Sequence, residues 1–305
     1  MLLCSWRVFI PEVAIEAVAL RPGTERFDVS GAIEEVIQFS LADYTYSSED
    51  EQRFIGVPLA AALYGQRELQ VSSFKIAVDE DRKLLMGFGA GKRESSNKGV
   101  TPRIENFINT ITGGIGSNPA EFADVLPVLE YLARRFPKTY LRLADLVLEV
   151  GDKELAIDQA KNYLRRFLES AQPAEKRYPW LNLADLCARS GDSMGEVHAF
   201  CEVALLPTST MSDLSNIANN LNSRIRDLKD QSIQDAWSPE VQELLMKVIQ
   251  EMERKQDRLS ATDCSRLAWL HLNVGNSDRA MDVANLGITK DPTNDYCKKL
   301  IANLN

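Results

Sequence analysis

The sequence predicts a mainly α-helical protein in which a small α+β domain precedes an array of helical hairpins. Three observations support this fold class. Runs of β-branched and aromatic residues that are typical of strands occur only within the first 90 residues, and helical patterns fill the rest of the chain. A short helical segment occurs three times after residue 140. The composition, with 45% hydrophobic and 26% charged residues, is that of a globular protein and excludes the disordered and collagenous classes.

The charge pattern argues against general nucleic-acid binding. The 35 basic and 44 acidic side chains give a net charge of −9, and no segment forms a basic tail or patch. The five cysteines are odd in number and form no C-x-x-C pair, which favours buried thiols in a reducing, cytoplasmic compartment. No apolar run approaches the roughly 20 residues that a membrane-spanning helix needs.

The first 64 residues predict two helices, a hairpin and a third helix. Prolines suit the first position of a helix, and Ser30 is the expected N-cap of the second one. β-branched and aromatic arms around a polar tip at 47–52 are typical of a hairpin. The expected elements are helices at 11–20, at 31–39 and from 58 onward, with hairpin arms at 41–46 and 53–57.

This order of elements resembles the winged-helix domain that follows the nucleotide-binding module of STAND-type NTPases. In that family a leucine-rich helix, a Ser-Leu pair, a variable hairpin and an aromatic-x-hydrophobic-x-Pro-Leu segment follow one another. The corresponding parts of this chain are 33–41, the loop at 47–52, and Phe54-Ile55-Gly56-Val57-Pro58-Leu59. The resemblance implies a winged-helix domain over 1–86 that packs internally and relays a signal to a nucleotide-binding module.

Near residue 100 the strand patterns end and only helical patterns follow, which predicts a second part made of helices. The Gly-, Lys- and Ser-rich stretch 87–99 is the expected linker, and with a connecting helix it extends to residue 117. A polar cap followed by proline predicts three helix starts, at Thr101-Pro102, Asn118-Pro119 and Ser238-Pro239.

The helical part contains a repeated pattern in which a Leu-Ala-x-Leu segment precedes a turn glycine. The segments at 143–146, 183–186 and 267–270 precede Gly151, Gly191 and Gly275. These glycines are 40 and 84 residues apart, so one degenerate repeat is expected near 210–255. Repeats of this length stack on one another, because a single helical hairpin cannot bury its apolar face alone.

The repeats resemble tetratricopeptide repeats. Gly275, Ala280 and Pro292 match the turn glycine, the small residue and the closing proline of that family. The second repeat departs from the pattern, because Glu196 stands at the small-residue position, and the period of about 40 exceeds the family's usual value of about 34. The resemblance implies a tetratricopeptide-like α-solenoid over 118–305, with a generic α-solenoid as the alternative.

In such an array the first helices of the repeats line a surface that binds a peptide or protein. The repeat register places six side chains on it: Arg142, Asp145, Asn182, Asp185, Arg266 and Trp269. Their mixed charges favour a protein partner over a nucleic acid. Trp269 is the candidate anchor, since aromatic residues often anchor interfaces, although packing against the next helix is an equal alternative.

No motif in the sequence predicts catalysis, a metal site or a cofactor. The stretch 86–93 is similar to a Walker A loop, but Met86 replaces its first glycine and Arg93 its hydroxyl residue. Two Cys–His pairs share helix faces without a third group to orient them, namely His198 with Cys201 and His271 with Cys264. The sequence therefore predicts that this chain is not an enzyme.

Together, the two resemblances imply a cytoplasmic, non-catalytic sensor region of a STAND-type NTPase. Its repeats would bind a partner or trigger protein, often a foreign protein in bacterial immunity, which extends the expectation to antiviral defence. The nucleotide-binding module would then precede residue 1, and the chain would be a fragment or a truncated relative.

The alternatives are a winged-helix transcription regulator controlled by the repeats and a tetratricopeptide scaffold or adaptor. DNA reading is disfavoured, because the expected recognition helix carries Glu34 and Glu35 and no basic residue. The wing tip at 47–52 adds three acids and no base.

Overall fold

The chain is mainly α-helical with one small β-sheet, which confirms the α-rich fold class. The computed structural model describes residues 2–5, 9–20, 28–47, 51–88, 100–115, 119–150, 153–230 and 239–304. These residues form 15 α-helices and three strands, in two compact units, Met1–Gln159 and Ala160–Asn305. Within the described residues, none of the helices combines the length and the apolar character needed to cross a membrane.

The first unit contains the sheet and the first seven helices. Its strands are β1 (Ile10–Pro11), β2 (Asp43–Tyr46) and β3 (Arg53–Gly56). Its helices are α1 (Glu12–Val18), α2 (Val29–Gln38), α3 (Leu59–Val71), α4 (Lys75–Gly87), α5 (Val100–Ile115), α6 (Pro119–Arg135) and α7 (Thr139–Val150). The boundary between the units falls inside α8 (Lys153–Ser170).

The sheet has the order β1-β3-β2, with both pairs antiparallel. The predicted hairpin is present as β2 and β3, whose register pairs Tyr44 with Ile55. The third strand, β1, was not expected from the sequence, because only two residues form it. Strand β3 is central and mostly buried, whereas β2 is an exposed edge. Of the predicted wing tip at 47–52, residues 48–50 lie outside the described residues.

Two local predictions in the first unit are wrong. Helix α2 is capped by Asp28, whose Oδ1 accepts the Gly31 N–H at 2.8 Å, because a carboxylate satisfies a free helical donor at least as well as a hydroxyl. The hydroxyl of Ser30, the predicted cap, instead donates to Glu16 at 2.6 Å. Helix α5 begins at Val100, so Thr101 lies inside the helix and does not cap it.

The predicted linker also begins later than expected. Gly87 ends α4, and Phe88 is fully buried because its ring stacks on Phe107 of α5 with centroids 3.8 Å apart. Asn106 of α5 donates to the Gly87 carbonyl at 2.9 Å. These contacts join α5 to α4. Residues 89–99, and with them Gly89 and Gly91 of the Walker-like stretch, lie outside the described residues, so the domain boundary at 87–117 stays a prediction.

Helix α1 organises the first unit through two glutamates on one side and a buried apolar face on the other. Glu12 accepts two bonds from the Arg53 guanidinium of β3, at 2.5 and 2.6 Å. Glu16 accepts the Tyr131 hydroxyl at 2.6 Å and pairs with Arg135 at 3.0 Å, both on α6. Burial, then the bond to Glu16, raises the pKa of Tyr131, so this hydroxyl stays protonated and keeps donating.

The second unit consists of helices. After the shared α8 come α9 (Arg177–Arg189), α10 (Ser193–Ala204), α11 (Met211–Asp230), α12 (Pro239–Arg254), α13 (Ala261–Asn273), α14 (Ser277–Lys290) and α15 (Asp295–Leu304). Short 3-10 turns at Pro173–Glu175 and Gln256–Arg258 precede α9 and α13. The region 210–255, where a degenerate repeat was expected, holds the two helices α11 and α12.

Two of the turn glycines have the backbone conformation for which glycine is suited. Gly191 and Gly275 end α9 and α13 with φ of 73° and 82°, in the left-handed region that most residues avoid. The next residues, Asp192 and Asn276, then cap α10 and α14 by accepting backbone N–H groups. Gly151, the first glycine of the series, lies outside the described residues.

Glu196, the departure from the repeat pattern, is explained by an ion pair between α10 and α11. Its side chain is almost fully buried, and its carboxylate meets the Arg224 guanidinium at 2.7 and 3.0 Å. A buried carboxylate is tolerated only with such a partner, because losing its hydration is costly. A small residue is therefore not required at this position.

We expect Gly275→Ala to lower the free energy of unfolding by about 1–2 kcal/mol, because a Cβ disfavours the left-handed backbone. No atom lies within 4 Å of the added Cβ, so the loss reports backbone strain and not a clash. Urea denaturation measures it. Gly275→Asn should cost less than alanine, since asparagine tolerates this conformation better. An alanine variant as stable as the wild type would contradict the assigned turn.

Arg224→Met should lower the free energy of unfolding by about 2–3 kcal/mol, because it leaves the Glu196 carboxylate buried without its partner. Adding Glu196→Ala, which restores the small residue of the repeat pattern, should recover more than half of that loss. Arg226→Met is the control, because Arg226 is exposed and lies two residues further along α11. We expect it to change the free energy of unfolding by less than about 0.5 kcal/mol. Equal losses in the single and double variants would show that the pair is not coupled.

Candidate partner-binding surface

In the second unit, polar contacts connect α9 to α11 at one point and α11 to α13 along their length. Arg177, in the first turn of α9, pairs with Asp213 in the first turn of α11 at 2.5 Å. Burial opposes the charge of Asp213, but hydrogen bonds from Thr210 and the Arg177 guanidinium outweigh it and hold the pKa of this carboxyl below its usual value. The pair is therefore charged at neutral pH and joins the two helices at their starts.

Helices α11 and α13 run in the same direction, because their contacts advance together along both. Near the starts, the Ser215 hydroxyl donates to the Asp263 carboxylate. Further along, Asn222 donates its amide to the Arg266 carbonyl at 2.8 Å and accepts the Asn273 amide at 2.9 Å. Neighbouring parallel helices are the arrangement that a row of first helices in a repeat array requires.

Of the predicted partner-binding residues in the second unit, two are exposed and two are engaged within the unit. Asn182 and Asp185 on α9 are exposed, and Asp185 pairs with Arg189 on the same helix at 3.8 Å. On α13, Arg266 donates to the Ser215 hydroxyl at 2.7 Å and to Asn216 at 3.4 Å. The side chain of Trp269 is half-buried and packs against the hydrophobic core. Binding of a partner at these positions stays a prediction.

Helix α11 supplies surface residues that the sequence analysis missed. Its exposed side carries Asn216, Asn219, Asn220 and Ser223, and Asn216 lies against Arg266. The repeat register omitted α11 because no turn glycine follows it, although its density of asparagine was visible in the sequence. Carboxamides both donate and accept hydrogen bonds, so this surface suits a polar peptide or protein surface.

In the first unit, Arg142 and Asp145 lie on α7, and Arg142 is at the edge of a cleft. Both are exposed and pair with each other at 3.5 Å, and partial burial, opposed by Arg142, raises the pKa of Asp145. Arg142 lines the cleft of about 260 Å³ between α5 and α7. Its other lining residues are Thr101, Ile104, Glu105, Ile108, Asn109, Phe136, Lys138 and Thr139. An apolar side chain with a polar neighbour fits such a lining.

Cys264 and His271, which the helical spacing placed on one face of α13, have different neighbours on the other helices. His271 is 2% exposed, and its Nε2 lies 3.3 Å from Glu253 of α12. Glu253 also accepts the Arg279 guanidinium of α14 at 2.6 and 3.2 Å. Cys264 instead lies beside Gly287, where it packs with Cys297. The contacts of Glu253 with His271 and Arg279 therefore differ from the contacts that bury Cys264.

The second pair, His198 and Cys201, is part of the packing of α10. The His198 ring is tilted against Trp180 with centroids 5.6 Å apart, and its Nε2 lies 3.8 Å from Glu240. Cys201 is fully buried, which raises the pKa of its thiol to about 12 and keeps it unreactive. Across the part of the chain that the structure describes, no three His, Cys, Asp or Glu side chains are grouped to hold a metal ion.

We expect His271 to make the folded chain less stable in acid. Burial lowers its pKa below the ordinary 6.5, with Glu253 opposing and Arg279 reinforcing the shift. The unfolded chain then binds the proton more readily than the folded chain, so stability is complete above about pH 6.5 and falls as the pH drops below it. Denaturation of His271→Gln between about pH 7 and about pH 5 should show a weaker pH dependence than the wild type. An unchanged slope would exclude His271 as its source.

The comparisons with known proteins identify no family. A scan against models of protein families finds no match for this chain, and a search of curated proteins finds no similar sequence.

Proposed function

We propose that this chain is a non-catalytic protein-interaction and sensor region, in which a winged-helix domain precedes a tetratricopeptide-like array. The observation that carries the proposal is the row formed by α11 and α13, which run parallel and are joined by the contacts of Ser215, Asn222 and Arg266. Helix α9 is attached to the same row through Arg177. Parallel first helices with exposed polar side chains form the binding surface of repeat arrays.

The first unit supports the winged-helix part of the proposal. Two helices, α1 and α2, stand between β1 and the β2–β3 hairpin, and the sheet order is β1-β3-β2. This is the order of elements in winged helices. The hairpin is the wing, and α2 is the helix that reads DNA in members of that fold that bind it.

The charges of this domain favour a role in protein contacts over DNA reading. Arg53 is the basic residue in the two arms of the hairpin. Its guanidinium forms ion pairs with Glu12 and with Glu34 of α2, the latter at 2.5 Å. Hydrogen bonds to these two carboxylates raise the pKa of Arg53, and the same carboxylates neutralise its charge. A DNA-binding wing would need this cation for a phosphate.

In the proposed mechanism, a partner or trigger protein binds the helical row, and the winged helix relays the event to a STAND-type NTPase module. Antiviral defence is the setting that the resemblance suggests. The chain contributes binding energy and conformational coupling, with no catalytic residue or cofactor of its own. Exposed polar side chains such as Asn182, Asp185 and Asn216 supply the specific hydrogen bonds of such an interface.

We expect Asp185→Lys to weaken binding of the partner protein about tenfold, because it reverses a charge on the proposed surface. Asp282→Lys is a matched control on α14, which is not one of the helices of the row. The two aspartates are 69% and 68% exposed, and each pairs with an arginine of its own helix at 3.8 and 3.7 Å. The partner is captured with the wild-type chain, and its affinity for the purified variants is measured by calorimetry.

Equal losses in the two variants would contradict the assigned surface. Saturable binding of ATP with Mg²⁺ to the purified chain would contradict the absence of a nucleotide site. Tight, salt-sensitive binding to duplex DNA would favour the transcription-regulator alternative, because several phosphate contacts make affinity fall steeply with salt.

A further inference from the structure

Strand β2 is the edge of the sheet, and its hydrogen-bonding pattern shows which residues face outward. The Ser47 N–H donates to the Gln52 carbonyl at 2.9 Å, which makes 47 and 52 a hydrogen-bonded pair of the antiparallel ladder. Hydrogen-bonded pairs alternate along such a ladder, so Thr45 and Asp43 bond to β3. The backbone N–H and C=O groups of Tyr44 and Tyr46 therefore point away from β3, and within the described residues no strand pairs with them.

The side chains on this edge are exposed aromatics. Tyr44 and Tyr46 are 51% and 59% exposed, and their rings meet edge to face with centroids 5.8 Å apart. Because alternate residues of a strand share a face, both rings lie on one face of the sheet. An incoming strand would thus find four outward backbone groups and an aromatic platform for its own side chains. Phe39 and Leu41, just before the strand, are also more than half exposed.

The charge around the edge selects the kind of strand that fits. Asp43 begins β2, and Glu51 lies just before β3, and both side chains are exposed. The nearby cation, Arg53, is held by Glu12 and Glu34. A second copy would bring a further Asp43 and Glu51 to this edge, and like charges across a strand pair are unfavourable. A strand with basic residues is complementary.

We propose that the outer edge of β2 binds an extended, basic segment of a partner protein as a fourth strand of the sheet. Backbone bonds to Tyr44 and Tyr46 would supply affinity, and β-branched or aromatic side chains would pack on the two rings. Lysines or arginines at the ends of the segment would face Asp43 and Glu51. This site lies in the first unit, and it is independent of the helical row proposed above.

The test uses the full chain and two capped hexapeptides with alternating valine and threonine in the middle. The lysine peptide has a lysine at each end, and the glutamate peptide has a glutamate at each end. Hydrogen exchange of the backbone amides is followed by NMR. We expect saturating lysine peptide to slow exchange at Tyr44 and Tyr46 about tenfold, and the glutamate peptide to bind about tenfold more weakly. Tyr46→Ser should weaken binding, whereas Tyr64→Ser, at a 68% exposed tyrosine of α3, should not.

Tyr44→Pro removes one outward N–H without removing a bond to β3, so it should abolish the slowing at residue 46. The serine variants and the glutamate peptide keep the test decisive if the proline variant does not fold. No slowing at millimolar lysine peptide, or an equal response to both peptides, overturns the proposal. Slower exchange at Tyr44 and Tyr46 that depends on protein concentration alone would assign the edge to a second copy of the chain. Slower exchange on adding a DNA duplex would assign it to nucleic acid. Either result overturns the proposal.

Discussion

The packing of the second unit depends on one constraint, which is that a pair of helices cannot bury its apolar face by itself. The buried side chains form a continuous cluster from α10 to α15, which includes Val197, Leu214, Leu245, Leu267 and Leu300. Each helix contributes one side to the cluster, so its burial depends on the helices before and after it. Helices that follow one another in the chain are therefore neighbours in the core. Each helix turns its polar side outward.

Polar contacts set the register that apolar burial alone does not select, because the hydrophobic effect is non-directional. Between α11 and α13, the contacts of Ser215 and Asn222 fix how far one helix is shifted along the other. In the first unit, α1 has the same role, since Glu12 holds β3 and Glu16 holds α6. These carboxylates lie near the core, where removing one partner costs more than the pair itself contributes.

The two proposed binding surfaces differ in the chemistry that they offer. The helical row presents carboxamides and mixed charges from rigid helices, so it suits a folded or extended partner with complementary side chains. The edge of β2 presents main-chain groups of Tyr44 and Tyr46, so it suits an extended strand. Backbone hydrogen bonds supply most of the affinity, and side-chain contacts add selectivity. In these proposals, the helical row recognises a partner by its side chains and the edge of β2 recognises one by its extended backbone.

Periodicity and turn chemistry in the sequence determined the helices, the hairpin and the positions of Gly191 and Gly275, because these are set by local backbone preferences. The tertiary structure decided which polar residues are partners. Asp28 took the cap expected of Ser30, Arg224 compensated the buried Glu196, and no local pattern reveals either choice. Likewise, the repeat spacing predicted a groove position for Trp269 with packing as an equal alternative, and its half-buried state depends on the neighbouring helices. Contacts between residues far apart in the chain arise only on folding, so the sequence predicts elements more reliably than surfaces.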